Sequence, residues 1–236
     1  GDGIPKNGKI ALYWYTKAAE QGHAKAQFNL GNMHRVGKEI PQNSELAAYW
    51  FIKSAEQEHM VAQYNMGVAY AHGEGVPKNI SAALNWYNKA AEQGHAKAEY
   101  QLGLMHKRGD GVSQSDEAAV IWFTKSAAQD NASAQFNLGL MFDEGMGVIE
   151  NSKTAAHWYT LATQQGYAEA QLRLALMYEV GRGVPKNAPT ALKLFALAAE
   201  QGVALAQYNM AVAFETGKGA PKDLTLAFEW YRQAAE

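Results

Sequence analysis

Six tryptophans, seven histidines and a recurring pair of glycines are the residues of this chain whose types and spacing invite chemistry. Gly-x-Gly pairs such as Gly73–Gly75 and Gly181–Gly183 precede a helix, an arrangement that can cradle an anion on backbone amides. Each pair also follows a helix rather than a strand, and similar pairs return at a fixed interval, so a structural turn is the better reading. His23, His59 and His95 share a column of that interval. Packed helices lie roughly 8–10 Å apart, so rings two helices apart do not meet on a zinc ion, whose nitrogen ligands sit at about 2.0–2.1 Å. With no cysteine in the chain, disulfides and thiolate metal sites are excluded. A Ser–His–acid set or a carboxylate pair should occur once and break the repeat. None stands out, so no catalytic residue, metal or cofactor is expected.

Trp14, Trp50, Trp86, Trp122, Trp158 and Trp230 fall in one column, with Leu194 filling its only gap. Such a strip could stack sugars or bases, but its alanine-rich flanks point to core. A second column, Asn29, Asn65, Gln101, Asn137, Arg173 and Asn209, stays polar throughout. An amide side chain offers a donor and an acceptor, and engages a peptide bond whatever residue carries it. Beside it runs a mostly apolar strip of Asn32, Val68, Leu104, Leu140, Leu176 and Val212. Polar anchors next to an apolar strip suit an extended peptide; the competing reading is that the amides bond neighbouring helices and hold register. A third column, Arg35, Ala71, Lys107, Asp143, Glu179 and Glu215, changes sign midway, which would orient a charged partner.

These columns are set by a repeat with a step of 36 residues. Gly31, Gly67, Gly103 and Gly139 mark it, as do Ala26, Ala62, Ala98, Ala134, Ala170 and Ala206. Each unit reads as two helices. Helix A covers about residues 24–36, where Ala26, Leu30 and Met33 share one helical face. Gly37 sits where a left-handed C-cap is wanted. A proline follows in most copies (Pro5, Pro41, Pro77, Pro185, Pro221), then an N-cap column of Asn7, Asn43, Asn79, Ser115, Asn151, Asn187 and Asp223. Helix B covers about residues 44–57 and stops at Gly22, Gly94, Gly166 and Gly202, with Glu58 and Asp130 as departures. Glycine inside helix A costs roughly 1 kcal/mol against alanine, which a close helix approach would offset. The ring of Trp50 is the expected occupant beside Gly31, with a wider approach at Ala175 and Ala211.

Composition sets the outer bounds. With 47% hydrophobic residues among 236, the chain has ample material for a core. A net charge of −2 argues against a general nucleic-acid binder, and no run approaches the roughly 20 apolar residues that span a bilayer.

The string Gly73-Glu74-Gly75-Val76-Pro77-Lys78-Asn79, through Trp86-Tyr87 to Lys89-Ala90-Ala91-Glu92-Gln93-Gly94-His95, resembles the Sel-one-like repeat (SLR) family, a relative of the tetratricopeptide repeats. Departures are small: Glu39 replaces the second loop glycine, and Ser113 and Ile149 replace the proline. The resemblance implies an all-α, right-handed α/α superhelical solenoid of about six and a half repeats, with helices A lining a concave groove. It is expected to form one domain over 1–236: a partial repeat at 1–23, full repeats at 24–59, 60–95, 96–131, 132–167 and 168–203, and a last repeat at 204–236. It further implies a non-enzymatic adaptor whose partner is a protein or extended peptide held in that groove by the amide column and its apolar neighbour. Family members of bacterial envelope and host-interaction systems point towards a periplasmic or exported setting. A hydrolase or glycan-binding protein of the envelope, and a spacer between flanking domains, are the alternatives.

Overall fold

The computed structural model describes residues 8–38 and 40–236. Pro5 and Asn7 of the first loop, and the departure at Glu39, lie outside the described residues. Contacts divide the chain into two compact units, Gly1–Gln114 and Ser115–Glu236. In the first unit the helices are α1 (Gly8–Glu20), α2 (Ala24–Val36), α3 (Ser44–Ala55), α4 (Met60–His72), α5 (Ile80–Glu92) and α6 (Ala96–Arg108). The second holds α7 (Asp116–Ala127), α8 (Ala132–Glu144), α9 (Ser152–Gln164), α10 (Ala168–Val180), α11 (Ala188–Glu200), α12 (Ala204–Thr216) and α13 (Leu224–Ala235). Within each unit every helix packs on the next, so each is an α/α array of stacked hairpins. The expected helix A at 24–36 and helix B from 44 are both present.

Local chemistry accounts for where the helices begin and end. Asn79 Oδ1 accepts from the amide of Ala82 at 3.0 Å, and Asn43, Ser115, Asn151, Asn187 and Asp223 cap their helices in the same way. Each side chain satisfies a first-turn amide that has no helical partner. The same cap residues clip the hairpin shut: the backbone N–H of Asn79 donates to the Tyr70 carbonyl at 2.9 Å, and that of Asn187 to Tyr178 at 2.8 Å. Helix A stops at a left-handed glycine, Gly181 at φ 83°, whose N–H donates to Met177 O. At the end of helix B, Glu58 (φ 61°) and Asp130 (φ 58°) occupy the left-handed region that glycine takes in other copies. That geometry disfavours a residue with a Cβ.

Packing assigns the glycine column to a different ring from the one expected. A Cβ on Gly31 would lie 2.8 Å from Phe51 Cδ1, and one on Gly139 would lie 2.6 Å from Tyr159 Cε1. The residue after the tryptophan therefore fills the space beside helix A, and Trp50 does not. Tyr159 is fully buried there and Phe51 nearly so.

Trp50 instead packs on a cluster that joins Ala19 of the preceding helix B to Ala26 and Leu30 of its own helix A. Trp86 repeats this on the cluster of Ala47, Phe51, Ala62 and Met66, at 9% exposure. Two adjacent aromatic positions thus do two jobs: one closes the hairpin, the other joins it to its predecessor. Trp14 in α1 is 64% exposed, so burial of the tryptophan column is not uniform.

Replacing Gly139 with valine puts branched carbons where the Tyr159 ring now lies. The expected cost is about 1–3 kcal/mol, the usual range for overpacking, read as a lowered midpoint in urea unfolding followed by circular dichroism.

Candidate peptide-binding faces

Structure places the expected amide column on the partly exposed side of each helix A. Asn29, Asn65, Gln101, Asn137 and Asn209 are half-buried, and Arg173 is exposed. They do not serve as the bonds between helices that would hold register. Asn137 Nδ2 donates to Ser133 O of its own helix at 2.8 Å, and Asn209 Nδ2 to Leu205 O at 2.7 Å. Asn32, Val68, Leu104, Leu140, Leu176 and Val212 are likewise half-buried.

Register is held by a column that the sequence reading passed over. Gln135 is 1% exposed; its Nε2 donates to Ala127 O of α7 at 3.3 Å, and its Oε1 accepts from Gln165 Nε2 of α9 at 2.9 Å. One side chain thereby ties three consecutive helices. Gln63 does the same between Ala55 O (3.3 Å) and Gln93 Nε2 (2.7 Å), and Gln27 between Ala19 O (3.1 Å) and Gln57 Nε2 (2.7 Å). Gln171 accepts from Gln201 at 2.9 Å. The signal was available as a line of amides broken only by Glu99: Gln27, Gln63, Glu99, Gln135, Gln171 and Gln207, each but the last answered 30 residues on by glutamine.

Histidines and acids also have structural employment. His59 Nδ1 accepts from Ala62 N and His95 Nδ1 from Ala98 N, both at 3.2 Å, which makes them N-caps of α4 and α6. Their rings stack on Phe28 and Tyr64, with centroids 4.6 Å apart in each pair. Burial pushes both rings below the usual histidine range, and the charges of Lys25 and Lys97 push the same way; a backbone hydrogen bond opposes them in each case.

In the second unit the acidic column is not an open negative surface. Asp143 is 5% exposed and pairs with Arg182 of the next loop at 2.8 Å. Glu179 meets Lys218 at 4.0 Å, and Glu215 accepts from the Tyr231 hydroxyl at 2.6 Å. The expected charged end of a groove is consumed there by contacts, the first two between repeats and the third within the last one. Burial and the Asp143 charge raise the Tyr159 hydroxyl above the ordinary phenol range.

Clefts bring part of the expected face together. In the first unit a cleft of about 310 Å³ is lined by Arg35, Phe51, Tyr64, Asn65, Val68 and Lys97, among others. A second, of about 340 Å³, shares Arg35, Tyr64, Asn65 and Lys97 and adds Phe28 and Asn32. In the second unit Asn209 and Val212 line a cleft of about 130 Å³ with Phe195, Leu192, Lys186 and Glu179. Asn29, Gln101, Leu104, Asn137, Leu140, Arg173 and Leu176 lie outside these clefts.

The Sel1 repeat family model matches at residues 1–23, 24–59, 61–95, 96–131, 132–167, 168–203 and 204–236. The chain belongs to the Sel1 repeat family. A Sel1 repeat protein from Oxalobacter formigenes is 33% identical, with TM-score 0.79 over 92% of this chain and 86% of that one. A protective antigen present in uropathogenic Escherichia coli strains, with an SLR fold, is 34% identical at TM-score 0.91. That alignment covers 95% of this chain and 48% of the antigen, so the chain spans about half its length. An immunity protein from Pseudomonas aeruginosa, at 22% identity and TM-score 0.50, shares the fold alone. No functionally curated protein matches. Sel1-repeat proteins generally act as protein-interaction scaffolds, and their repeats point to protein partners. Among the described residues no helix is long and apolar enough to cross a membrane.

Two outcomes follow for this Sel1 array. Gln135→Met keeps the side-chain length but removes both bonds, leaving the Ala127 carbonyl only the one it accepts from the Asp130 amide. It should cost about 1–3 kcal/mol in chemical denaturation, whereas Asn137→Ala should stay within about 0.5 kcal/mol. The second concerns acid. Because the folded state lowers the His59 and His95 pKa values, their capping contribution is fully present above the unfolded value of about 6.5. It is lost as pH falls from there through the folded values. The melting temperature should decline as pH falls below about 6.5, and the His59→Asn, His95→Asn double variant should flatten that decline, since Asn131 already caps α8 from the same column at 3.1 Å.

Proposed function

We propose that this chain is a non-enzymatic scaffold that binds a partner protein through an extended segment laid on the exposed faces of its helices A. The observation that carries the reading is the pair of adjoining clefts in the first unit. They combine the half-buried amides Asn32 and Asn65 with the apolar Val68 and the aromatic Phe28 and Tyr64. Because glutamines hold the hairpins in register, the asparagine column is left with little structural duty. An extended strand rises about 3.3 Å per residue, so a cleft of this size accommodates a few residues, with main-chain bonds to the amides and side chains against the apolar wall. Asn209 and Val212 offer the second unit a smaller version of the same pairing. Family membership supports the scaffold role. No candidate acid–base or nucleophilic set in the described residues competes with it, since the buried acid Asp143 is already paired with Arg182.

Selection of peptides from a random display library on the intact chain tests this. Enriched sequences should lose at least tenfold in affinity to the Asn65→Ala, Val68→Asp variant while its melting temperature stays within a few degrees of the parent. Failure to enrich any peptide, or binding indifferent to that variant, would contradict the reading.

A further inference from the structure

Arg35 and Lys97 stand out in the first unit because the molecule makes so little use of their charge. Both are exposed, both line the two adjoining clefts, and neither has a carboxylate within 4 Å among the described residues. Arg35 is steadied by Asn32, whose Oδ1 accepts from Nε at 3.2 Å and from Nη2 at 3.0 Å. That contact engages one edge of the guanidinium and leaves the remaining N–H groups for another acceptor. Lys97 enters the same space from the first turn of α6. Tyr64 and Asn65 line both clefts together with the two cations. Glu74 is the only carboxylate among the lining residues of either cleft.

The second unit treats its charges differently. Where the first has Arg35 and Lys107, the second has Asp143, Glu179 and Glu215, and these are occupied by Arg182, Lys218 and Tyr231. Over the chain as a whole, Lys and Arg outnumber Asp and Glu in residues 1–114, and the reverse holds in 115–236. Two cations flanking a cleft, without carboxylate partners, complement a negative charge held between them. A planar guanidinium matches a carboxylate bidentately, and the ammonium adds a second point of attraction. Asn65 and Tyr64 supply polar groups for the backbone beside that carboxylate, and Val68 and Phe28 an apolar wall.

We propose that the first-unit cleft is the specificity pocket of the scaffold and selects an acidic side chain, Asp or Glu, within the extended segment of the partner protein, clamped between Arg35 and Lys97. This rests on the binding mode proposed above and adds the chemistry of the residue it prefers. Attraction of this kind discriminates between partners and speeds encounter more than it adds affinity, because both cations are solvated in the free protein. Salt should weaken it accordingly.

The test uses the intact chain and two fluorescent pools of nonapeptides, randomised except for a central Glu in one and a central Gln in the other. Anisotropy titrations at low salt should show the Glu pool binding at least tenfold more tightly. Arg35→Gln with Lys97→Gln should abolish that preference, so that the Glu and Gln pools bind alike, with the variant melting like the parent. Arg35→Glu with Lys97→Glu should turn the preference towards a pool with central Lys. Equal binding of the Glu and Gln pools, or a preference that survives in Arg35→Gln, Lys97→Gln, overturns the acidic clamp and leaves the scaffold reading standing. Absence of binding by every pool overturns both.

Discussion

Everything in this fold depends on how closely helix B can approach helix A. At the glycine column helix A carries no side chain, and the ring of Phe51 or Tyr159 lies against the bare backbone. Glycine inside a helix costs roughly 1 kcal/mol, and the buried aromatic contact offsets it. Once that approach is made, the residue just before the ring packs on a cluster shared by its own helix A and the preceding helix B, which is why Trp50 and Trp86 are seam residues between repeats. The adjacent glutamine column is then drawn into a space with no water. Its two polar ends must be satisfied within the protein, and the carbonyl behind it and the glutamine 30 residues ahead do so.

That arrangement leaves the asparagine face with little structural duty, which the proposed binding requires. In a structure where every polar side chain held the array together, a partner could dock only by breaking something. Here Gln27, Gln63, Gln135 and Gln171 bear the register load from inside. The asparagines two positions further along bond no neighbouring helix: Asn137 and Asn209 merely turn back on their own carbonyls. The two units then spend their charges unequally. Asp143 and Glu179 serve as anchors for the loop of the following repeat, while Arg35 and Lys97, beside a cleft, have no carboxylate partner among the described residues. The outcome is two differently charged surfaces made from the same repeat by substitution at a few columns.

Much of this was legible in the sequence, because repetition turns single residues into columns. The helix A span, the asparagine caps, the left-handed glycines and the departures at Glu58 and Asp130 were all visible as residue types at fixed offsets, and short-range backbone chemistry decides them. Long-range partners were harder. Trp50 and Phe51 are adjacent and both aromatic, and only the helix rotation decides which meets Gly31. The charge column read as a gradient, yet Asp143 is neutralised by Arg182, 39 residues away. Glutamine was passed over because it is usually a surface residue; its burial follows from the close approach, which no single window reveals. His59 and His95, weighed only as metal ligands, are caps whose neutral rings accept an amide hydrogen bond.

The division between register glutamines and free asparagines is most directly tested by site-resolved hydrogen exchange of side-chain amides in the unliganded chain. Gln63 and Gln135 Nε2 protons should exchange orders of magnitude more slowly than the Nδ2 protons of Asn65. Gln135 exchanging as fast as Asn65 would mean that the clamp does not hold the hairpins, and the case for a spare binding face would go with it.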